Sequence, residues 1–158
     1  MHKVYIKSPL GTLEIEGDNQ GIVAITFLDQ EVTPTATIPE ILQEVVKQLD
    51  EYFTKKRTVF ELKLNPQGTN FQTQVWRTLQ TVPFGKTASY LDMAKMLGDS
   101  KVIRAAASAN GKNPIAVVIP CHRVIGSDGS LTGYAGGLHR KKWLLEHESP
   151  VRQGSLFN

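Results

Sequence analysis

Cysteine is almost missing from this 158-residue chain, which carries one, Cys121. A lone cysteine excludes an internal disulfide framework and any zinc site built from several thiolates. It leaves a reducing cytoplasm as the simplest compartment. Long apolar runs are missing as well: no stretch approaches the roughly 18 residues that a membrane-spanning helix requires. The opening Met1-His2-Lys3-Val4-Tyr5-Ile6 alternates polar with apolar like a strand and lacks the apolar core of a signal peptide. What is present is ordinary: 41% hydrophobic and 21% charged residues, enough for a core and too mixed for a disordered tail. The length suits one domain, or a small domain attached to a medium one.

The charge is uneven along the chain. Residues 1–65 hold seven basic and ten acidic side chains, net −3; residues 66–158 hold eleven and five, net +6. A basic second segment beside an acidic first one suits a polyanionic partner for the second. The same boundary appears in the pattern. Val4–Ile6, Thr12–Glu16 and Ile22–Phe27 read as short strands joined by turn chemistry at Pro9-Leu10-Gly11 and Asp18-Asn19-Gln20-Gly21, which implies antiparallel pairing. Pro39 then opens a helix with an apolar stripe of Ile41, Leu42, Val45, Val46, Leu49, Tyr52 and Phe53, all expected in the core. Asn65 to Asn70 is the linker candidate, which divides the chain into an α/β domain over 1–65 and a second domain over 66–158.

The second domain reads as helical. Phe71, Val75, Trp76 and Leu79 mark a first helix, ended by Pro83-Phe84-Gly85. A second helix, capped by Ser89 or Thr87, carries Leu91, Met93, Ala94 and Leu97 and ends at Gly98. A third runs from Lys101 to Gly111, with Ser100 as its cap. Two short helices around a tight turn make a helix-turn-helix candidate. On the third helix Ala105 and Ala106 leave little bulk between backbone and partner, while Lys101 and Arg104 supply charge, a surface that suits close approach to a DNA groove. Alanines also simply favour helix and pack tightly.

Ile115–Ile119 is an apolar run that must be buried, as strand or extended core segment, and it breaks at Pro120-Cys121-His122-Arg123-Val124. A cysteine followed by His122 and Arg123 sits in positive potential, which lowers a thiol pKa below about 8.5. In an extended segment Cys121 and His122 point to opposite sides, so proton transfer between them needs a water or a sharp turn. A carboxylate that orients the imidazole would come from the last helix, His139 to Glu148, as Glu146 or Glu148; spacing does not choose. The same helix offers Trp143, Leu144 and Leu145 as its packed face and Arg140-Lys141-Lys142 as a solvated side or phosphate contact. Before it, residues 126–137 form a glycine-rich loop that leaves space for a flat ligand. His139 and His147, eight apart, have no flanking residues that complete a metal set.

Pro120-Cys121-His122-Arg123-Val124, preceded by Gly111-Lys112-Asn113-Pro114 and followed by Thr132-Gly133-Tyr134-Ala135-Gly136-Gly137, resembles the 6-O-methylguanine-DNA methyltransferase family over about Phe71 to Glu148, with a looser likeness in the first domain. The resemblance implies an α/β (α+β) fold: a small ribonuclease-H-like antiparallel sheet with a helix, then a mainly helical domain with a winged-helix-like helix-turn-helix. It implies that Cys121 accepts an alkyl group, that His122 takes its proton through a water, and that Glu148 orients His122. Asn113 ties the cysteine turn to the recognition helix. Arg104 fills the space left by an extruded guanine, and Tyr90 pushes on the neighbouring phosphate. Tyr134, Val124, Ala135 and Gly136 line the pocket. The implied partner is double-stranded DNA bearing alkylated guanine or thymine, with no cofactor, no metal, no membrane and no obligate protein partner. Some family members hold zinc in the first domain, and a chain without cysteine there does not reproduce a cysteine-containing site. Others have Ser at the position of Ala135.

The chemistry needs these parts. An alkylated base edge lies inside the duplex, so the base is flipped at a cost of a few kcal/mol. Displacement at a saturated carbon needs an aligned thiolate, and alignment contributes about 7–11 kcal/mol. The thioether product has no electrophilic carbonyl for water to attack, so each molecule reacts once. Two other readings use the same residues: a non-catalytic sensor of damaged bases, and a cysteine hydrolase built on Cys121, His122 and Glu148.

Overall fold

The computed structural model describes residues 1–150; residues 151–158, the end of the expected second domain, lie outside the described residues. The backbone of the described residues gathers into two compact units, Met1–Gln67 with Pro114–Ala116, and Gly68–Asn113 with the described chain that starts at Val117.

In the first unit, strands β1 (His2–Ser8), β2 (Gly11–Asp18) and β3 (Gly21–Phe27) form an antiparallel sheet in the order β1-β2-β3. The register sets Val4 against Ile15 and Ile15 against Ile25, a buried apolar row, because side chains two apart share a face. The opposite face is polar, and there Lys3 reaches Glu16 at 3.0 Å. Gly21 is required at its turn: its φ is +130° and a Cβ would lie 2.8 Å from the Lys63 carbonyl. Helix α1 (Glu40–Phe53) lays Leu42, Val45, Leu49 and Tyr52 on β1 and β2, each such burial worth about 1.5–3 kcal/mol. The stripe is narrower than expected. Ile41 is 37% exposed, and Val46 and Phe53 are half-buried, because they lie at the edges of the face that meets the sheet.

The second unit opens with α2 (Asn70–Leu79), started by a capping box in which Thr69 accepts from Gln72 N and the Gln72 side chain returns the bond to Thr69 N. The last two residues of the expected linker therefore belong to a helix start. A two-residue strand, β4 (Ala88–Ser89), leads into α3 (Tyr90–Met96), capped by Ser89 with Asp92. A 3-10 turn (Ser100–Val102) precedes α4 (Ile103–Gly111). Asp99, not Ser100, supplies the cap, and it caps the 3-10 turn, its carboxylate accepting from Lys101 N at 2.8 Å; α4 itself has no side-chain cap. The helix ends at Gly111, as expected, with Lys112 as its C-cap. Trp76 locks α2 to α4 by donating its indole N–H to the buried Ala109 carbonyl at 2.8 Å.

The apolar run 115–119 is buried except for half-buried Ala116 but is not one extended segment. Ile115 makes a parallel bridge to Ile25. Val117 then adopts φ +72°, a left-handed conformation that a β-branched residue resists, and the chain turns. It re-emerges as a 3-10 turn, Cys121–Arg123, followed by β5 (Val124–Ile125), which pairs in parallel with β4. Helix α5 (Leu138–Glu148) closes the described chain and packs on the cysteine turn. No helix among the described residues is long and apolar enough to cross a membrane.

Candidate active site

The 3-10 turn decides how Cys121 and His122 are presented. A tight turn rotates successive side chains by about a third of a circle instead of placing them on opposite faces. Both are buried: Cys121 keeps 6% of its surface exposed and His122 none. Asn113, just past the end of α4, fixes the turn from outside. Its amide donates to the Ile119 carbonyl at 2.8 Å and to Cys121 Sγ at 3.1 Å. Asn110, one turn earlier, offers its amide to the Cys121 carbonyl at 3.5 Å.

The carboxylate partner of His122 is Glu148, which accepts from Nε2 at 2.8 Å. Arg123 binds the same carboxylate through Nε at 2.7 Å and a terminal nitrogen at 3.0 Å. With its other terminal nitrogen it donates to the Val82 carbonyl at 2.7 Å, and its guanidinium carbon lies 5.9 Å from the Phe84 ring centre. Pro83-Phe84-Gly85 therefore does more than end a helix, and Gly85 at φ +83° lets the chain pass close to the Glu148 carbonyl. Burial alone would raise the Glu148 carboxyl pKa, yet His122 and Arg123 hold it well below the usual carboxylate range. The His122 Nδ1 is buried and has no hydrogen-bond partner among the described residues.

Arg123 is thus spent on Glu148 and does not acidify the thiol, as its place in the sequence suggested. Burial pushes the Cys121 thiol up from its ordinary value, opposed by the Asn113 hydrogen bond and the positive charge of Lys141. Lys141 is the side chain whose burial the pattern hid. It was expected at a solvated side or on phosphate, with Arg140; both are buried, Lys141 completely. Lys141 donates to the Thr132 carbonyl at 2.7 Å and Arg140 to the Gly136 carbonyl at 3.0 Å. The available signal was spacing: Lys141 and Glu148 are seven apart, on one face of α5.

Those two bonds fasten the ends of the segment that carries Tyr134, Ala135 and Gly136. The Tyr134 hydroxyl is buried, and burial holds its pKa well above the phenolic value, so it remains a proton-bearing group. Ala135 is exposed, Gly136 half-buried, and Val124 fully buried in β5. Thr132 donates its hydroxyl to Tyr90 at 3.0 Å, linking this segment to the start of α3.

Outside the cysteine turn, α4 presents a polar face. Lys101, Arg104 and Ala105 are exposed, but Ala106, expected beside them, is 2% exposed and packs inward. Helical spacing puts the exposed Ser108 on the Arg104 face instead. Among the described residues no group of three or more His, Cys, Asp or Glu could hold a metal ion.

A helix-turn-helix with an exposed arginine, a buried cysteine held by Asn113, and a histidine–glutamate–arginine cluster beginning at the next residue fit one class: a DNA-binding protein with a cysteine nucleophile. Comparison with known proteins narrows it. Residues 1–66 match the ribonuclease-like domain of 6-O-methylguanine DNA methyltransferase and residues 70–150 match its DNA-binding domain. The chain is 44% identical over 155 residues to the methylated-DNA–protein-cysteine methyltransferase of Mycolicibacterium paratuberculosis, covering 96% of this chain and 94% of the relative. It is 40% identical over 153 residues to that of Methanosarcina acetivorans, covering 94% and 98%. Among solved structures, the Mycobacterium tuberculosis OGT in complex with DNA is similar at a TM-score of 0.85 and 42% identity, covering 94% of this chain and 93% of that one. The chain belongs to the 6-O-methylguanine-DNA methyltransferase family.

Proposed function

We propose that this protein repairs DNA by direct reversal, moving the alkyl group of 6-O-alkylguanine, and of 4-O-alkylthymine, from a flipped-out nucleotide onto the Cys121 sulfur. The observation that carries the reading is the hydrogen-bonded chain from Arg123 and Glu148 to His122, next to a thiol held by Asn113. With Nε2 donating to Glu148, Nδ1 is the acceptor through which His122 takes the thiol proton by way of a water. The sulfur–carbon bond forms as the carbon–oxygen bond of the base breaks, and the departing guanine gains a proton. Tyr134, kept protonated by burial, is the hydrogen-bond donor toward that base.

Arg104 enters the base stack and offsets the loss of stacking, Lys101 and Ala105 let α4 approach the backbone, and Tyr90 acts on the flanking phosphate. The backbones of Cys121, Val124 and Ala135, with Gly136, read the base edge. Residues 66–158 carry this work, with 1–65 as a separate α/β domain. The protein uses no cofactor, works in the cytoplasm, and is consumed because a thioether does not hydrolyse. The relatives' names, methylated-DNA–protein-cysteine methyltransferase, support the donor and the acceptor.

The test is incubation with a duplex whose O6-methylguanine carries a labelled methyl group, followed by peptide mapping. The label is expected on the Cys121 peptide and absent from Cys121→Ser. Label transferred equally by Cys121→Ser refutes the assignment, and label released to water favours the hydrolase.

A further inference from the structure

Tyr90 and Thr132 stand 42 residues apart in the chain, and their side chains meet: the Thr132 hydroxyl lies 3.0 Å from the Tyr90 hydroxyl. Each residue is held by bonds of its own. Tyr90 opens α3 directly after the Ser89 cap, and Ser89 pairs with Ile125 where β4 runs beside β5. Past Ile125 the chain closes a turn on itself: Gly126 N donates to the Ser130 carbonyl at 2.9 Å, and the Asp128 carboxylate accepts from Ser130 N at 3.0 Å and Ser130 Oγ at 2.6 Å. The Thr132 carbonyl then accepts from Lys141 at 2.7 Å. The two hydroxyls therefore meet from backbones that are fixed without them, and neither segment depends on their bond for its place.

That bond lies between two parts of the reaction that have to act together. Thr132 is two residues before Tyr134, in the segment that lines the pocket, and Tyr90 is the residue that acts on the phosphate beside the flipped nucleotide. A phenol hydroxyl donates one proton and also accepts. Neither hydroxyl makes another hydrogen bond among the described residues. If Tyr90 donated to Thr132, its single proton would be spent inside the protein. With Thr132 donating, the Tyr90 proton is left for an outside acceptor, and a phosphate oxygen, being charged, is a stronger acceptor than a neutral hydroxyl. Hydrogen bonds in series also polarise one another, so the bond from Thr132 makes the phenol a better donor. We propose that Thr132 is a positioning residue for nucleotide flipping: its hydroxyl steadies the Tyr90 phenol and leaves the phenol proton for the flanking phosphate, which couples rotation of the nucleotide to the segment that receives the base. This inference rests on Tyr90 acting on that phosphate.

Methyl transfer is followed in single turnovers, with full-length protein in saturating excess over a duplex that carries one O6-methylguanine, so that association does not limit the rate. Thr132→Val replaces the hydroxyl by a methyl group at an exposed position and leaves the carbonyl bond to Lys141 intact. It is expected to slow transfer about three- to tenfold, the worth of one neutral hydrogen bond. Thr132→Ser keeps the hydroxyl and restores most of the rate. In a Tyr90→Phe background, itself slow, Thr132→Val causes no further loss, because the threonine acts only through the phenol. Alkylation of Cys121 by iodoacetamide without DNA proceeds in Thr132→Val as in the wild type. A full rate in Thr132→Val overturns the proposal, as does a Thr132→Ser as slow as Thr132→Val. An equal further loss in the Tyr90→Phe background, or slowed alkylation by iodoacetamide, also overturns it, because the substitution then acts through the pocket. A slow Tyr90→Phe beside an unaffected Thr132→Val sinks this inference alone; a Tyr90→Phe at the wild-type rate sinks the phosphate role beneath it.

Discussion

Glu148 is where one atom group holds most of the cysteine turn in place. It satisfies two cationic or potentially cationic side chains at once, and all three residues are buried. Removing the charge in Glu148→Gln leaves Arg123 buried beside a neutral amide, and is expected to cost about 3–5 kcal/mol in urea unfolding at pH 7. The pH dependence has a definite sign. A carboxyl held below its ordinary value of 4.5 contributes stability that is fully present above that value and is lost as pH falls toward the folded one. Wild type should therefore lose more stability than Glu148→Gln as pH falls from 5 to 3. Equal losses would mean that the carboxylate is not held as described. At this scale the sequence pointed to Cys121 and His122 and the resemblance to the His122–Glu148 pair, but neither pointed to Arg123 as the second partner of that carboxylate. Arg123 is two residues from Cys121 in the chain, so proximity suggested that it acidifies the thiol; folding brings Glu148 from 25 residues away and takes that charge.

At the scale of elements, α4 works from both ends. Its exposed face carries Arg104, Ala105 and Ser108, with Lys101 in the 3-10 turn before it; its last turn brings Asn110, and the chain just past its end Asn113, to the cysteine turn. Arg104→Ala should slow repair of a lesion in duplex DNA far more than reaction of Cys121 with a small alkylating reagent, because only the duplex needs a base displaced. Lys101→Ala should weaken binding to any DNA sequence alike and lower the slope of log affinity against log salt by about one. The anchor at the other side is Trp76. Trp76→Phe leaves the Ala109 carbonyl buried without its donor and is expected to cost about 1–3 kcal/mol by thermal or urea unfolding. Element boundaries were legible wherever local chemistry fixes them. The strand turns at Gly11 and Gly21 and the Ser89 cap are examples, because each depends on a residue and its near neighbours. What escaped was set by distant packing. Val117 is held at positive φ against its own preference. Ala106 turned inward and Lys141 was buried because neighbouring elements close over them, and a run of basic residues on a helix ordinarily reads as solvated.

At the scale of the whole molecule, each half of the chain matches its own domain of one family. The charge difference between the halves is a physical counterpart to the DNA-binding half lying second. Every candidate site residue falls in that second half, and the chemistry assigned to it ends in a stable thioether. Each protein molecule is therefore expected to remove one methyl group. Protein of known active concentration is mixed with excess duplex DNA carrying O6-methylguanine, and methyl groups removed from DNA are followed to completion. A plateau at about one methyl group per protein molecule, matched by the mass gain of one methyl group on Cys121, is the expected result; continued removal beyond that, or a plateau with Cys121 unmodified, contradicts it.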